Sequence, residues 1–461
     1  MNISDIERHI DDLNPVLLKE VLEKYTKDSK IVKWDVGASS SRDLSVQVQQ
    51  GNAKQLKGSQ RNSMTLRVWK DNKVGITSTS DLTNEGIKKA MKGAIEASFF
   101  GNEKESPEFS SLAKSPLKEI TYSQTNENGV DKLLATLKNA EKKLIDTHKS
   151  IDSVPYNGLS ESYMERLYIN SDGANRYMKL SQTSIYLYAK AEEKNKKPRS
   201  AGGFKINTSL DKLDIDSCIK ETSNKLISHL NYKAIETKKY LICFTPEAFL
   251  QLLNAFSSMF NARSIIDGLS LMKEESIGKR IAIKNLNISD EGLHPENIGA
   301  FSFDGEGTPT QNIDLIKSGI LTNLIHSEAT ARKFGVQPTG HAGLGAKVSV
   351  SPDWLVVSTC ESEKDRNENL SIKNTLDEYI LIDELSALHS GVKASQGSFS
   401  LPFDGWIIND GIKTSIEAAT VAGDILKVLN SIVKIEKEQI VTHQGISPHV
   451  WVENISITGE A

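Results

Sequence analysis

Residues Gly299–Gly345 read GAFSFDGEGTPTQNIDLIKSGILTNLIHSEATARKFGVQPTGHAGLG, turn residues and small polar groups broken by short apolar runs. Asp304-Gly305-Glu306-Gly307 sets two carboxylates on a segment whose glycines permit positive φ and close backbone approach. Pro309 biases Thr308 toward extended backbone. Leu315 and Ile316, a Ser318-Gly319 turn, then Ile320, Leu321, Leu324 and Ile325 predict a tight hairpin. Ser327 to Phe334 predicts a short helix stopped at Gly335. The succession suits a loop-rich site on a β scaffold, not plain core. Its candidate substrate-binding positions are Asp304, Gly305, Glu306, Gly307, Gly319, His326, Gly340 and His341.

Upstream of that block, Ile3 to Lys24 has near-helical apolar spacing interrupted at Pro15. Leu44, Val46 and Val48 alternate with polar residues. The alternation resumes at Met64, Leu66 and Val68 and, past a Lys70–Lys73 turn, at Val74 and Ile76, which predicts an antiparallel meander. Thr83 caps a helix with Ile87, Ala90, Met91, Ala94 and Ile95 on one face. Residues 101–122 read as a surface loop, Asp131 to Ile145 as a helix, and Tyr163 to Tyr188 as a hairpin turning at Ser171-Asp172-Gly173. AEEKNKKPRSAGG (191–203) reads as a solvated loop tip whose charges need no partner. Asp214 to Leu230 predicts a further helix. The composition shifts near Thr237, so residues 1–236 form an N-terminal α+β domain and 237–461 a C-terminal β-rich one.

In the second half, strand Tyr240–Phe244 leads through Thr245-Pro246 into a helix, Glu247 to Phe260, apolar on most sides. Strands follow at Trp354–Val357 and Tyr379–Ile382, with a charged connector, Cys360 to Asp377, between them. A hairpin turns at Asn409-Asp410-Gly411, Ala418 to Ile435 reads as a helix, and Val450 to Ile457 as the final strand. The fold class is α+β, with two domains and mostly antiparallel sheets.

Composition narrows the chemistry. With 461 residues and a formal net charge of -4, no basic field favours nucleic acid. Three distant cysteines form no disulfide framework or thiolate site. No apolar run approaches the roughly 20 residues of a membrane span, and the charged start MNISDIERHIDDL has no secretory h-region. A cytoplasmic protein is the expectation. None of the nine histidines is followed by Glu, so H-E-x-x-H is absent. Gly340 to Lys347 lacks the Gly-Lys-Ser/Thr order of a phosphate loop. Asp304 and Glu306 could act as an acid/base pair with His326 or His341; the plainer reading has them satisfying backbone N–H groups in a Gly-rich turn.

Taken together, MTLRVWKDNKVGITSTSDLT, YINSDGANR, FSFDGEGTPT, LIKSGILTNLIHSEATARKFGVQPTG and HSGVKASQGSFSLPFDGWIINDGI with ATVAGDIL resemble the TldD/PmbA metallopeptidase family, once called modulators of DNA gyrase. The family has two kinds of member that pair. The TldD kind carries H-E-x-x-x-H on a helix after a strand-Pro junction and binds zinc there; the PmbA or TldE kind lacks those ligands. Here the corresponding helix follows Phe244-Thr245-Pro246 and presents Gln251, Leu252 and Phe256 at the ligand positions. Leu and Phe cannot ligate zinc or move protons. The resemblance implies a PmbA/TldE-like subunit with no catalytic residue and no metal of its own. It also implies a TldD-like zinc-bearing partner, short or unfolded peptides as substrate, and a homodimer as the form open to the chain when alone. The rivals are a stand-alone peptide-binding or assembly module and a metal-independent hydrolase built on the Asp304/Glu306 loop.

Overall fold

The structure is a computed structural model that describes residues 13–101, 108–120, 128–343, 348–360 and 378–460, apart from Asn14 and Lys30. Helix α1 (Pro15–Asp28) begins at the proline, whose missing N–H costs nothing in a first turn. The part of the predicted opening helix from Ile3 to Asp12 lies outside the described residues. Strands β1 (Lys33–Gln49), β2 (Asn52–Lys70) and β3 (Lys73–Thr79) form the expected meander, and helix α2 (Asn84–Ser98) follows. The Thr83 side chain accepts the Gly86 N–H at 3.2 Å and so caps α2. Helix α3 (Val130–Asp146), strands β4 (Ile151–Asn170), β5 (Asn175–Ala191) and β6 (Arg199–Asn207), and helix α4 (Ile215–Ser228) complete the first half.

These six strands make one sheet in the order β3-β2-β1-β4-β5-β6. The 20 residues of β4 span roughly 65 Å at a strand's rise, too long for one helix layer to cover. Two separate cores solve that. One end of the sheet packs Val36, Leu66 and Val68 under Leu22, Ile87 and Met91 of α1 and α2. The other packs Val46, Leu159 and Leu187 under Leu137, Leu144 and Leu226 of α3 and α4.

The second half holds β7 (Tyr232–Lys233), β8 (Lys238–Phe244), α5 (Pro246–Ala255), α6 (Ala262–Ile266), β9 (Leu286–Glu291), β10 (Asn312–Lys317), β11 (Ile320–Leu321) and α7 (Glu328–Phe334). After these come β12 (Leu355–Thr359), β13 (Glu378–Leu385), β14 (Val392–Lys393), β15 (Ser398–Asn409), β16 (Ile412–Ile416) and β17 (Ala419–Asp424). The strands end with β18 (Ile432–Ile435), β19 (Ile440–Val441), β20 (Gly445–Ser447) and β21 (Val450–Gly459). They form a six-stranded sheet, β11-β10-β9-β12-β20-β19, and a nine-stranded one, β13-β8-β21-β17-β15-β16-β7 with β14 and β18 attached. Pairing is antiparallel except for β12–β20, β13–β8 and β16–β7. A single core joins both sheets through α5, whose Phe249, Leu250, Leu252 and Leu253 are all buried. Its apolar sides belong inside, while Glu247, Gln251 and Asn254 form one half-buried polar stripe.

Four expectations change. The stretch from Ala418 to Ile435 is not one helix: β17 and β18 flank a six-residue helix, Ile425–Asn430. Val421 pairs with both Leu401 and Ile457, so tertiary ladders override the alanines' helix preference. The helix expected over Glu247–Phe260 ends at Ala255, and a 3-10 turn, Ser257–Phe260, continues it. The described part of the 101–122 loop is not all surface, since Ser110 and Ala113 are buried. Several of the 191–203 charges do have partners: Lys197 binds Glu417, and Arg199 donates to the Ile416 and Glu417 carbonyls at 3.1 Å each. The connector expected over Cys360–Asp377 lies outside the described residues beyond Cys360.

Candidate functional site

The Asp304–Gly307 loop folds as a turn rather than running extended, with Gly307 N–H donating to the Asp304 carbonyl at 3.1 Å. The two carboxylates therefore diverge. Asp304 accepts the N–H groups of Glu306, Thr308 and Ala342 at 2.8, 3.0 and 2.9 Å. Burial raises its pKa against the pull of those donors and Arg166. Glu306 caps α7, accepting the Glu328 N–H at 2.8 Å. Its other oxygen stands 3.6 Å from Arg67 Nη1, across from the N-terminal sheet. Burial, with Asp304 and Asp35 nearby, lifts Glu306 to about 7 against Arg67 and the Glu328 N–H.

Arg67 is the hub of that contact. It donates Nε to Asp35 Oδ1 at 2.8 Å and Nη2 to Oδ2, and Tyr168 Oη donates to the same carboxylate at 3.0 Å. Burial opposes the guanidinium charge, but Asp35 and Glu306 outweigh it and raise the Arg67 pKa. Gly307 closes the contact sterically. Its φ is +76°, and a Cβ there would stand 2.4 Å from the Tyr168 ring. Segment 110–115 is wedged alongside. Ser110 accepts from Thr308 Oγ1 at 2.7 Å, Ser111 N–H donates to Glu328 at 3.0 Å, and Arg176 bridges the Ser115 and Gly307 carbonyls.

The histidines are structural neighbours of this knot. His326 packs edge-on against Phe334, its Nδ1 3.2 Å from Thr330 Oγ1, and burial, with His341 beside it, drops its pKa to about 4. His341 Nδ1 lies 2.9 Å from Thr339 Oγ1, and its Nε2 lies 3.3 Å from Asp290 Oδ2 without meeting hydrogen-bond geometry. Burial lowers its pKa, but the Asp290 carboxylate, with Asp353 and Asp304, outweighs that and raises it. Gly319 and Gly340 both have positive φ, and a Cβ at either would meet a backbone carbonyl oxygen at 2.3 Å. Gly305 is buried, its N–H donating to the Ala342 carbonyl at 2.6 Å. The candidate set thus converges, except for Gly319, on a sealed contact between the two halves.

The open space lies elsewhere. A cavity of about 1230 Å3 separates the halves, lined from one side by β5, β6 and α4 and from the other by α5, the 296–301 loop, residues 352–354 before β12, and residues 440–444. None of the eight candidate residues lines it, whereas Gln251 does. Residues 202–207 all face the cavity, as do residues 440–444. β6 ends the N-terminal sheet and β19 ends the six-stranded one. Two unpaired main-chain edges therefore border one cleft. Arg67, Asp35, Lys225, Glu247 and His443 have no local motif that would have marked them. The one sequence signal is charge inside an apolar strand, Asp35 between Trp34 and Val36 and Arg67 between Leu66 and Val68.

Along its length the sequence matches three successive segments of the PmbA/TldA metallopeptidases: domain 1 over residues 34–98, the central domain over 124–230 and the C-terminal domain over 237–459. The chain belongs to that family. Metalloprotease PmbA of Escherichia coli O157:H7 is 22% identical over 412 residues, covering 87% of this chain and 86% of the relative. A metalloprotease of Methanothermobacter thermautotrophicus is 26% identical over 328 residues, 68% of this chain and 69% of that one. Among solved structures, a Thermotoga maritima protein described as a candidate modulator of a DNA gyrase superposes with TM-score 0.85 at 22% identity, covering 96% of this chain and all of that one. TldE from Thermococcus kodakarensis superposes at 0.78 with 19% identity, over 95% of this chain and all of that one.

For a PmbA/TldD family member, α5 is where zinc ligands would be sought, and its side chains do not fit a metal. Gln251 Oε1 accepts the Leu385 N–H at 2.8 Å, so its one donor oxygen is engaged. Leu252 and Phe256 are 0% and 1% exposed in the apolar core. Among the described residues no group of three His, Cys, Asp or Glu side chains is placed to hold a metal ion. One turn earlier, Glu247 reaches the cleft instead, with His443 Nδ1 at 3.6 Å and Gln444 Nε2 at 2.6 Å. Burial raises the Glu247 pKa, opposed by His443.

Proposed function

We propose that this chain is the PmbA/TldE-type subunit of a two-subunit zinc peptidase, holding extended peptide in its cleft while a TldD-like partner supplies zinc and the catalytic base. The cleft bordered by the edges of β6 and β19 carries this reading. An open strand edge takes an extended peptide through main-chain hydrogen bonds, and its side chains fall into flanking pockets. The side chains of α5, which offer no metal ligand set, support the reading that catalysis belongs to the other subunit. Asp304, Glu306 and the glycines around them act on the substrate indirectly, by fixing the halves that enclose it. Hydrolysis at the Asp304/Glu306 loop is disfavoured because both carboxylates are sealed and their oxygens committed.

The test is co-expression with a TldD-like chain, followed by size-exclusion chromatography and metal analysis of each subunit. Co-elution, zinc in step with the partner chain, and peptide cleavage only by the mixture are the expected results. Peptide cleavage by this chain alone, or zinc retained on it, would overturn the assignment. One chain encloses the cleft unaided, which favours a second reading as a peptide-binding module. That reading predicts binding with no stimulation of any partner.

A further inference from the structure

We infer that the cleft selects cationic peptide segments, a conclusion that rests on reading it as a peptide site. Its wall carries six carboxylates, Glu221, Glu247, Glu296, Asp353, Asp383 and Glu384, against three lysines. All three lysines are engaged. Lys205 pairs with Glu221, Lys225 bridges Asp383 at 2.7 Å and Glu384 at 3.0 Å, and Lys413 sits 3.5 Å over the Trp406 ring. Glu247 faces His443 at 3.6 Å, a counter-charge only when that imidazole is protonated, and Glu296 and Asp353 have no Lys or Arg at ion-pair distance among the described residues. They belong to three segments that meet at the cleft: the first turn of α5, the loop before Gly299, and the approach to β12.

Independent features point to an occupant. The main-chain edges of β6 and β19 are open along the same cleft, so a strand entering it is presented to those carboxylates. Tyr186 and Tyr188 line it with rings more than a third exposed, and aromatic faces beside carboxylates are the recognition chemistry of ammonium and guanidinium groups. The indole Nε1 atoms of Trp354 and Trp406 have no acceptor among the described residues, although both side chains are more than nine-tenths buried in the wall. A buried donor without an acceptor is costly. Asp353 shares its surroundings with Asp290 and Asp304, whose charges oppose its ionisation, while His341 and Arg166 favour it. A bound cation would relieve that repulsion.

The experiment uses the full chain and three fluorescein-labelled extended decapeptides with one Val/Thr/Ser frame and three Lys, three Gln or three Glu. Fluorescence anisotropy at low and physiological ionic strength reads the dissociation constants. The Lys peptide should bind about tenfold more tightly than the Gln peptide, as expected for two or three partly exposed ion pairs, and the gap should shrink with salt. The triple variant Glu247→Gln, Glu296→Gln, Asp353→Asn should bring the three peptides toward one affinity. If it fails to fold, the exposed Glu296→Gln change alone should weaken the Lys peptide about twofold. Equal affinities for the three peptides would overturn the charge preference while leaving the peptide site standing. No binding of any peptide would overturn both.

Discussion

In the fold Glu306 holds its proton up to about pH 7, whereas in the unfolded chain it releases it near 4.5. Between those values the folded state binds a proton the unfolded chain does not, so stability falls as pH rises through the window. The loss attributable to this group is about 3 kcal/mol. Glu306→Gln keeps the uncharged form at every pH. Urea denaturation at pH 5 and pH 8 should therefore show the variant gaining on the wild type by about 2–3 kcal/mol at the higher pH. A gap independent of pH would mean that Glu306 is ionised throughout. The Gly-rich stretch made Asp304 and Glu306 visible in the sequence, because two carboxylates among glycines are unusual. Their partners were not visible. Asp35, Arg67 and Tyr168 meet Glu306 only after two sheets have formed, and no local spacing encodes that meeting.

At the scale of the element, α5 was legible at its start and in its burial, though not at its end. Thr245 and Pro246 mark its start, and its largely apolar surface predicts its burial. Thr245 Oγ1 does accept the Ala248 N–H at 3.2 Å. Phe256 packs edge-on against Phe399 with ring centroids 6.2 Å apart, so Phe256→Ala should cost about 3–5 kcal/mol in chemical denaturation. Placing a carboxylate beside it, Leu252→Glu, should cost at least as much, since no donor waits there. A loss under 1 kcal/mol for either would show that the helix is not the core's centre. The hairpin turn is equally specific: Gly319→Val sets a side chain against the Ile283 carbonyl at positive φ, and peptide processing by the assembled pair should fall with it. β17 was illegible for the opposite reason. Its alanines suit a helix, and only pairing with β15 and β21 makes it a strand.

Over the whole molecule, the two halves are held by the Arg67 knot and by Arg199 and Lys197 reaching residues 416–417. Arg67→Ala strands Asp35 and Glu306 in a buried contact. It should cost about 3–5 kcal/mol, and limited proteolysis should cut near residues 110–117 as the wedge loosens. Protection equal to the wild type would show that the other contacts suffice. The α+β class and most strands were readable from alternation, since each covered sheet face leaves its period-two trace. The cleft was not, because it is a space between elements remote in the chain.

The nine-stranded sheet has a consequence for how the protein is made. β21 lies between β8 and β17, with Val450 paired to Phe244. A ribosome adding about 5–20 residues per second needs roughly ten to forty seconds to travel from the one strand to the other. Throughout that interval β8 lacks its β21 partner, and until β13 emerges its other flank is bare too, beside a helix rich in Phe and Leu. Nascent polypeptide in that condition invites aggregation, so the second half completes its fold late in translation and depends on being shielded until then.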